Sequence, residues 1–420
     1  MKLLLKQVIV TDKNSPYNGL QKDILIHDGK IVEIQDNLTV DDAQIIKHSN
    51  LLASPGWVDI FSHFCDPGYE HRETLETGAL AAAAGGYTTV FTVPNTNPVV
   101  CTKSQVEYII QKSRSLPISV LPIGAVTKNA EGKELAEMYD MLNSGAVAFS
   151  DGLYTVQSAG LFLKALQYVK AFNGVLIQVP NDKSVGSFGL MNEGIISTRL
   201  GLPGIPSIGE EIIIARDIEL AAYTNSRLHI TGVSTAKAIE HISKAKANGI
   251  AVTCSVTHYH LFFCDEDLFD YDTNLKVDPP LRTRADMMAL RQAVAEGQVD
   301  SIASHHIPHD TDNKICEFEY AKPGMTGLQT CFQVFNTLFP DLDNNKLVDL
   351  FSHNNRVLFN LNPATIQPGS DANITLFIRN TASSIGSGNI KSKSRNNAFM
   401  GRQLIGSVIG IINKDQLYLN

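Results

Sequence analysis

Over the first fifty positions apolar and polar residues alternate in short runs, LLLKQVIV at 3–10 and DILIHDGKIVEI at 23–34. The turn clusters KNSPYNG and HDGK punctuate them. A period of two bounded by Gly, Pro and Asn predicts antiparallel strands joined by hairpins. From Pro55 the pattern changes. Eight β-rich runs follow: WVDIF, YTTVFTV, ISVLPIGAV, AVAFS, GVLIQV, RLHITGV, IAVTCSV and DSIAS. Helical patterns stand between them, among them ETLETGALAAAAGG, SAGLFLKALQYVKAF, EEIIIARDIELAAYT and TAKAIEHISKAKANG. Eight strand-then-helix units predict an α/β chain with a (β/α)8 TIM-type barrel. After about Asn360 the strand-and-turn texture returns in ANITLFI and LIGSVIGIINKDQLYL. The two ends are therefore predicted to meet in one small β-sandwich domain, residues 1–53 and 361–420, with the barrel at 54–360. The Ser, Asn and Lys-rich stretch SSIGSGNIKSKSRNN at 383–397 reads as a surface loop of that domain.

Composition narrows the class. The chain has 420 residues, 44% hydrophobic, 19% charged and 7% aromatic, which is globular rather than disordered. A net charge of -8 and a pI near 5.8 leave no electrostatic footprint for nucleic acid. No apolar run approaches the ~18 residues of a membrane span, and MKLLLKQVIVTDKN lacks the core and cleavage site of a signal peptide. Cys65, Cys101, Cys254, Cys264, Cys316 and Cys331 form no CxxC pair, so free thiols and a cytoplasmic location are expected.

In such a barrel the chemistry sits where strands end. The first run ends in Phe61, Ser62, His63, Phe64, Cys65 and Asp66, and the second in Pro94-Asn95-Thr96. Asp151 ends the fourth, Pro180-Asn181 the fifth and Thr231-Gly232 the sixth, while His305, His306 and His309 follow the eighth. His258-Tyr259-His260 ends the seventh run and is read as structural. Asp310, Asp312 and Lys314 read as a solvated charged loop. Cys65 is two residues from His63 on one strand face, a thiol–imidazole spacing with no third group to orient it.

Several long motifs carry a resemblance: PGWVDIFSHFCDPG, GALAAAAGGYTTVFTVPNTNP, GAVAFSDG, MNEGIISTRLGLPGIPSIGEE, KVDPPLR, IASHHIPH, GMTGLQT and SKSRNNAF. The chain resembles, over nearly its full length, the long dihydroorotases of the amidohydrolase superfamily, which also contains the hydantoinases. The resemblance implies reversible ring closure of dihydroorotate in pyrimidine biosynthesis. It also implies one or two zinc ions that polarise a ring carbonyl and acidify a water.

The chain departs from that pattern at the family's working positions. The two metal histidines of the first strand are reduced to His63, because the other position is Phe61. The arginine that grips the substrate carboxylate is replaced by Cys65. The histidines of strands five and six are replaced by Pro180 and Gly232, and the proton-shuttling aspartate by His305. Asn95 and His309, the family's substrate-contacting positions, remain, as does Asp151. A binuclear centre is excluded on this count. A single zinc on His63, Asp151 and His305 stays open beside a site with no metal, although His305 as a ligand cannot also be the base.

Two functions are then weighed. In the first the chain is a dihydroorotase-like scaffold or regulatory subunit without catalysis, and the resemblance offers aspartate carbamoyltransferase or an active dihydroorotase as partner. In the second it is a working dihydroorotase or other cyclic amide hydrolase with a divergent mononuclear zinc site. The resemblance also implies a homodimer.

Overall fold

The computed structural model describes residues 1–420, the side chain of Ser387 apart. Each of the eight predicted runs forms a strand: Trp57–Ser62, Tyr87–Thr92, Ser119–Gly124, Ala148–Phe149, Val175–Gln178, Arg227–Ile230, Val252–Thr257 and Ser301–Ala303. They pair in parallel in sequence order. The ring closes where Ser62 bridges His306 in parallel and the His63 N–H donates to the His306 carbonyl at 2.8 Å. Strand edges are thereby removed.

Alternation within the strands sorts side chains between two cores. Val58, Ile60, Phe61, Phe91, Ile123, Val175 and Ile177 pack in one cluster with Ala303. A larger cluster holds Val90, Phe149, Leu176 and Ile302 with apolar faces of helices such as Leu75–Ala84, Ala159–Lys170 and Ala236–Ala247. The first of these helices is N-capped by Thr74, whose side chain accepts from the Thr77 N–H. Trp57 belongs to the larger cluster and packs on Phe332, Phe351 and Phe377 at centroid distances of 4.9, 5.1 and 5.1 Å.

The strands of the two termini form one continuous eight-stranded mixed sheet by hydrogen bonding. Leu52–Pro55 joins the halves, pairing in parallel with Lys2–Val10 and antiparallel with Asn373–Ser383. The sheet is stitched to the barrel through Thr375, whose Oγ1 accepts from the Trp57 N–H (3.1 Å) and donates to the Gly86 carbonyl (2.7 Å). The stretch 383–397 departs from the surface loop expected. Ser392, Ser394, Asn396 and Asn397 are buried, because this segment crosses onto the mouth of the barrel and hydrogen-bonds there. No helix among the described residues is long and apolar enough to cross a membrane.

Candidate active site

The mouth is built from strand ends, and most polar side chains there have a definite partner. The Cys65 N–H donates to His63 Nδ1 at 2.8 Å. That nitrogen is therefore the acceptor, and Nε2–H donates to the Asn95 carbonyl at 3.0 Å. Both ring nitrogens are spent. Burial, with Arg72 nearby, brings the pKa of His63 down to about 3, so the ring is neutral. Asn95 links the second and fourth strand ends: its Nδ2 donates to the Asp151 carbonyl and its Oδ1 accepts from the Leu153 N–H.

The Asp151 carboxylate accepts from the Thr127 N–H (2.8 Å) and the Thr127 hydroxyl (2.5 Å), facing the end of the third strand. Burial pushes its pKa up, against those hydrogen bonds. His305 sits at φ +41°, a strained left-handed conformation. Its ring stacks on Phe61 with centroids 4.4 Å apart, and its Nε2 meets Thr231 Oγ1 at 2.8 Å. The chain continues from Ser255 Oγ, which donates to Thr231 Oγ1, to His229 and Thr253. His305 Nδ1 is buried with no hydrogen-bond partner, and burial takes its pKa down to about 3.

Three strand-end positions carry no metal-binding side chain. Phe61 brings an apolar ring against His305. Pro180 brings no donor. Gly232, at φ +72°, leaves room for His305: a Cβ there would stand 2.7 Å from His305 Cε1. The His63, Asp151 and His305 set does not converge. The first is held by Cys65 and Asn95, the second by Thr127, and the third by Thr231 and Phe61. Among the described residues no group of three or more His, Cys, Asp or Glu is placed to share a metal ion. The residues present do not fit a zinc centre, because the lone pairs of His63 and Asp151 face protein donors and His305 is not placed to share a metal ion with them.

Beside these groups lies a cavity of about 250 Å3, walled by Phe61, Val179, Tyr154 and His305. Arg72, Asp278 and Lys322 give it charge. The Arg72 Nε and Nη2 donate to the Pro308 carbonyl at 2.9 and 2.7 Å, which fixes the guanidinium at the wall. Asp278 Oδ1 is buried without a partner, and burial raises the pKa of the carboxyl. His309 also lines the cavity. Its Nε2–H donates to the Pro323 carbonyl (3.0 Å), and burial lowers its pKa to about 3.

Cys65 does not stand in for an arginine. Its thiol is buried, at φ +60°, and burial pushes its pKa up to about 12, so neither a charged fork nor a thiolate faces the cavity. Its Sγ lies against the His63 carbonyl, not the imidazole. Iodoacetamide at pH 8 is accordingly expected to leave Cys65 unmodified in the folded protein while labelling the half-buried Cys101 and Cys316. Mass spectrometry of peptides checks this, and rapid labelling of Cys65 would contradict its placement.

Sequence reasoning missed a buried acid at the mouth. Glu73 accepts from Ser392 Oγ, Thr77 Oγ1 and the Lys393 N–H, and stands 3.3 Å from His306 Nε2. Burial pushes its pKa up, but the hydrogen bond and charge of His306, with Ser392 and Thr77, outweigh it and hold the carboxyl below its usual value. No spacing in HRETLETG marks this residue, since of its partners only Thr77 is local, while His306, Ser392 and Lys393 lie more than two hundred positions away. His258 and His260 are fully buried in the helix His258–Phe262, in keeping with a structural part.

Comparison with known proteins agrees with this frame. A family profile described as Dihydro-orotase-like matches residues 50–238. A dihydroorotase of Pelotomaculum thermopropionicum is 40% identical over 411 residues, covering 97% of this chain and 96% of the relative. One from Syntrophus aciditrophicus is 38% identical over 414 residues, 97% of each. Among solved structures, the L-hydantoinase (dihydropyrimidinase) from Arthrobacter aurescens superposes with a TM-score of 0.87 at 22% identity, over 100% of this chain and 96% of that one, a likeness of fold. With full-length relatives at this identity and a closed parallel barrel joined to a sheet of both termini, the chain belongs to the dihydroorotase family.

Proposed function

We propose that this chain is a dihydroorotase-family protein of pyrimidine biosynthesis that does not hydrolyse dihydroorotate and serves as a scaffold or regulatory subunit. The observation that carries this reading is the tautomer of His63. With Nδ1 accepting from Cys65 and Nε2–H given to Asn95, the one histidine remaining on the first strand has no lone pair for a metal. His305, in the position of the family's base, is neutral, stacked on Phe61 and hydrogen-bonded to Thr231, so it has no carboxylate chemistry to offer. Removal of a general base alone costs about 10²–10⁴-fold in rate. Loss of a metal-activated water adds to that. The partners proposed are a second copy, and aspartate carbamoyltransferase or a separate active dihydroorotase, in the cytoplasm.

A second reading has its own support. The relatives matched end to end at 38–40% identity carry the name dihydroorotase. Under this reading the chain is a working cyclic amide hydrolase with a single zinc, and His63 and His305 exchange their present hydrogen bonds for the metal. One assay separates the two. Protein purified with zinc supplied is analysed for metal and for dihydroorotate hydrolysis. The first reading expects well under one zinc per chain and no turnover above background. One zinc per chain with turnover of order 1 s⁻¹, ordinary for an enzyme, overturns it.

A further inference from the structure

A second cavity, of about 450 Å3, shares the His309 wall with the mouth. It is formed by Thr273 and Asn274, the loop 309–315, His71 and the segment 393–396. The loop was expected to be solvated throughout, and Lys314 departs from that: it is only 6% exposed. Its Nζ donates to the Thr273 carbonyl at 2.8 Å and more distantly, at 3.4 Å, to that of Lys276. Among the described residues no carboxylate is a hydrogen-bond or ion-pair partner of this ammonium. The neighbouring Lys276 is held the same way, by the carbonyls of Phe318 (2.6 Å) and Glu319 (2.9 Å). Two ammonium groups therefore share one corner of the protein, received by backbone carbonyls and, for Lys276, by the face of the Phe318 ring 5.2 Å away.

Burying an ammonium without a counter-charge is costly, and proteins commonly answer by neutralising it. Burial, with repulsion from Lys276, brings the pKa of Lys314 down to about 7, while Asp272 and Cys316 work weakly the other way. The other ionisable groups lining the cavity among the described residues are His71, Lys393, whose Nζ donates to the Glu70 carbonyl at 2.7 Å, and Arg395, with Asp310 as the one carboxylate. Asp310 is already occupied: it accepts from the Asn313 N–H and Nδ2 at 2.9 Å, and His71 lies 3.4 Å away. In a chain of net charge -8, such a cationic recess is not a by-product of composition.

We propose that this recess binds a phosphate-bearing small molecule, whose phosphate supplies the counter-charge that Lys314 lacks, between Lys314 on one wall and Lys393 and Arg395 on the other. An ammonium has three donors, and the Lys314 Nζ has one left after its two carbonyls. The volume exceeds that of a phosphate alone and leaves room for an organic portion. Because an anion favours the charged amine, binding above pH 7 draws a proton onto Lys314. The site is separate from the strand ends and does not depend on whether the chain turns over a cyclic amide.

Titration calorimetry of the full chain with inorganic pyrophosphate at low salt tests this, with citrate as a polycarboxylate of similar charge. The expected result at pH 8 is saturable binding at one site per chain. Proton uptake of up to one per site is expected when buffers of different ionisation enthalpy are compared. Lys393→Gln/Arg395→Gln, both at exposed positions, is expected to weaken binding about tenfold or more. Lys314→Gln is expected to weaken it and abolish the proton uptake. If Lys314→Gln does not fold, the exposed pair still decides the matter. No saturable binding of pyrophosphate, or binding unchanged in the exposed pair, overturns the proposal. Citrate binding in place of pyrophosphate overturns the phosphate assignment.

Discussion

Gly232→His alone is expected to destabilise the protein by about 2–4 kcal/mol, and the same change in a His305→Asp background by only about 1 kcal/mol. The first figure has two parts. Any Cβ at this left-handed position costs roughly 1 kcal/mol. The new side chain must also displace the His305 ring, whose Cε1 lies 2.7 Å from the Cβ position, and overpacking of this kind costs about 1–3 kcal/mol. Shortening residue 305 removes the second part and leaves the first. Urea unfolding of the wild type, both single variants and the double variant measures the coupling, expected at about 1–3 kcal/mol for side chains in direct contact. Additive effects would show that His305 does not fill this space. The same cycle sets the order in which a family-like site can be rebuilt. Phe61→His, Cys65→Arg, Pro180→His and Gly232→His without His305→Asp crowd one point, whereas all five together present the family's residues on strand ends that already lie side by side. Zinc retained after dialysis by the five-fold variant and absent from the wild type is the expected result, and a metal-free five-fold variant would mean that the mouth has repacked.

Acid is expected to cost this protein stability through its barrel-mouth imidazoles. His305 is neutral in the fold, with a pKa brought down to about 3. Once unfolded it takes up a proton near its ordinary value of about 6.5. Between those values the unfolded chain binds more protons, so stability is fully present above about pH 6.5 and is lost as pH falls toward 3. At pH 4.5 the loss is about 2–3 kcal/mol for this one side chain. His63 follows the same sign over the same window. Asp59 and Asp151 oppose it, since burial raises their pKa values and a raised carboxyl takes its proton first in the folded state. The clean readout is therefore a difference between proteins. Stability of wild type and His305→Gln is compared by urea unfolding at pH 7 and pH 4.5. The gap should move by about 2–3 kcal/mol in favour of the variant on acidification. A gap indifferent to pH would mean that His305 is charged in the folded state or exposed to water.

The frame of this molecule was open to reading because it rests on local repetition. Each barrel strand announces itself as a short β-branched run, and Asp59 alone interrupts WVDIF, where it pairs with Ser62 and the Ser304 N–H across the closing seam. How the side chains at the strand ends are held was not legible. Nothing in Thr231-Gly232 says that the glycine makes way for a histidine seventy residues later, and nothing in SHFC says which nitrogen of His63 carries the proton. Those facts belong to contacts between strand ends far apart in the chain. Lys314 misled for a related reason. A lysine among Asp310, Asp312 and Asn313 has the composition of a wet loop, and only the carbonyls of Thr273 and Lys276 turn it inward. The polar stretch 392–397 misled likewise: Asn396 reads as solvent-facing, yet its Nδ2 donates to the Ile307 and Gly324 carbonyls (3.0 and 3.1 Å) inside the fold.

That last segment has a consequence for how the molecule is made. Glu73 is held by Ser392, a span of 319 residues, and the His309 N–H by Asn396. On the ribosome every barrel strand has emerged before the residues that latch the rim are translated. Until then Glu73 has neither Ser392 nor the Lys393 amide, and the ring of strands stands unlatched on that side. A stop codon ahead of position 392 would therefore cost more than a tail: it would release a nascent barrel whose acid keeps Thr77 and His306 but never meets Ser392 or the Lys393 amide.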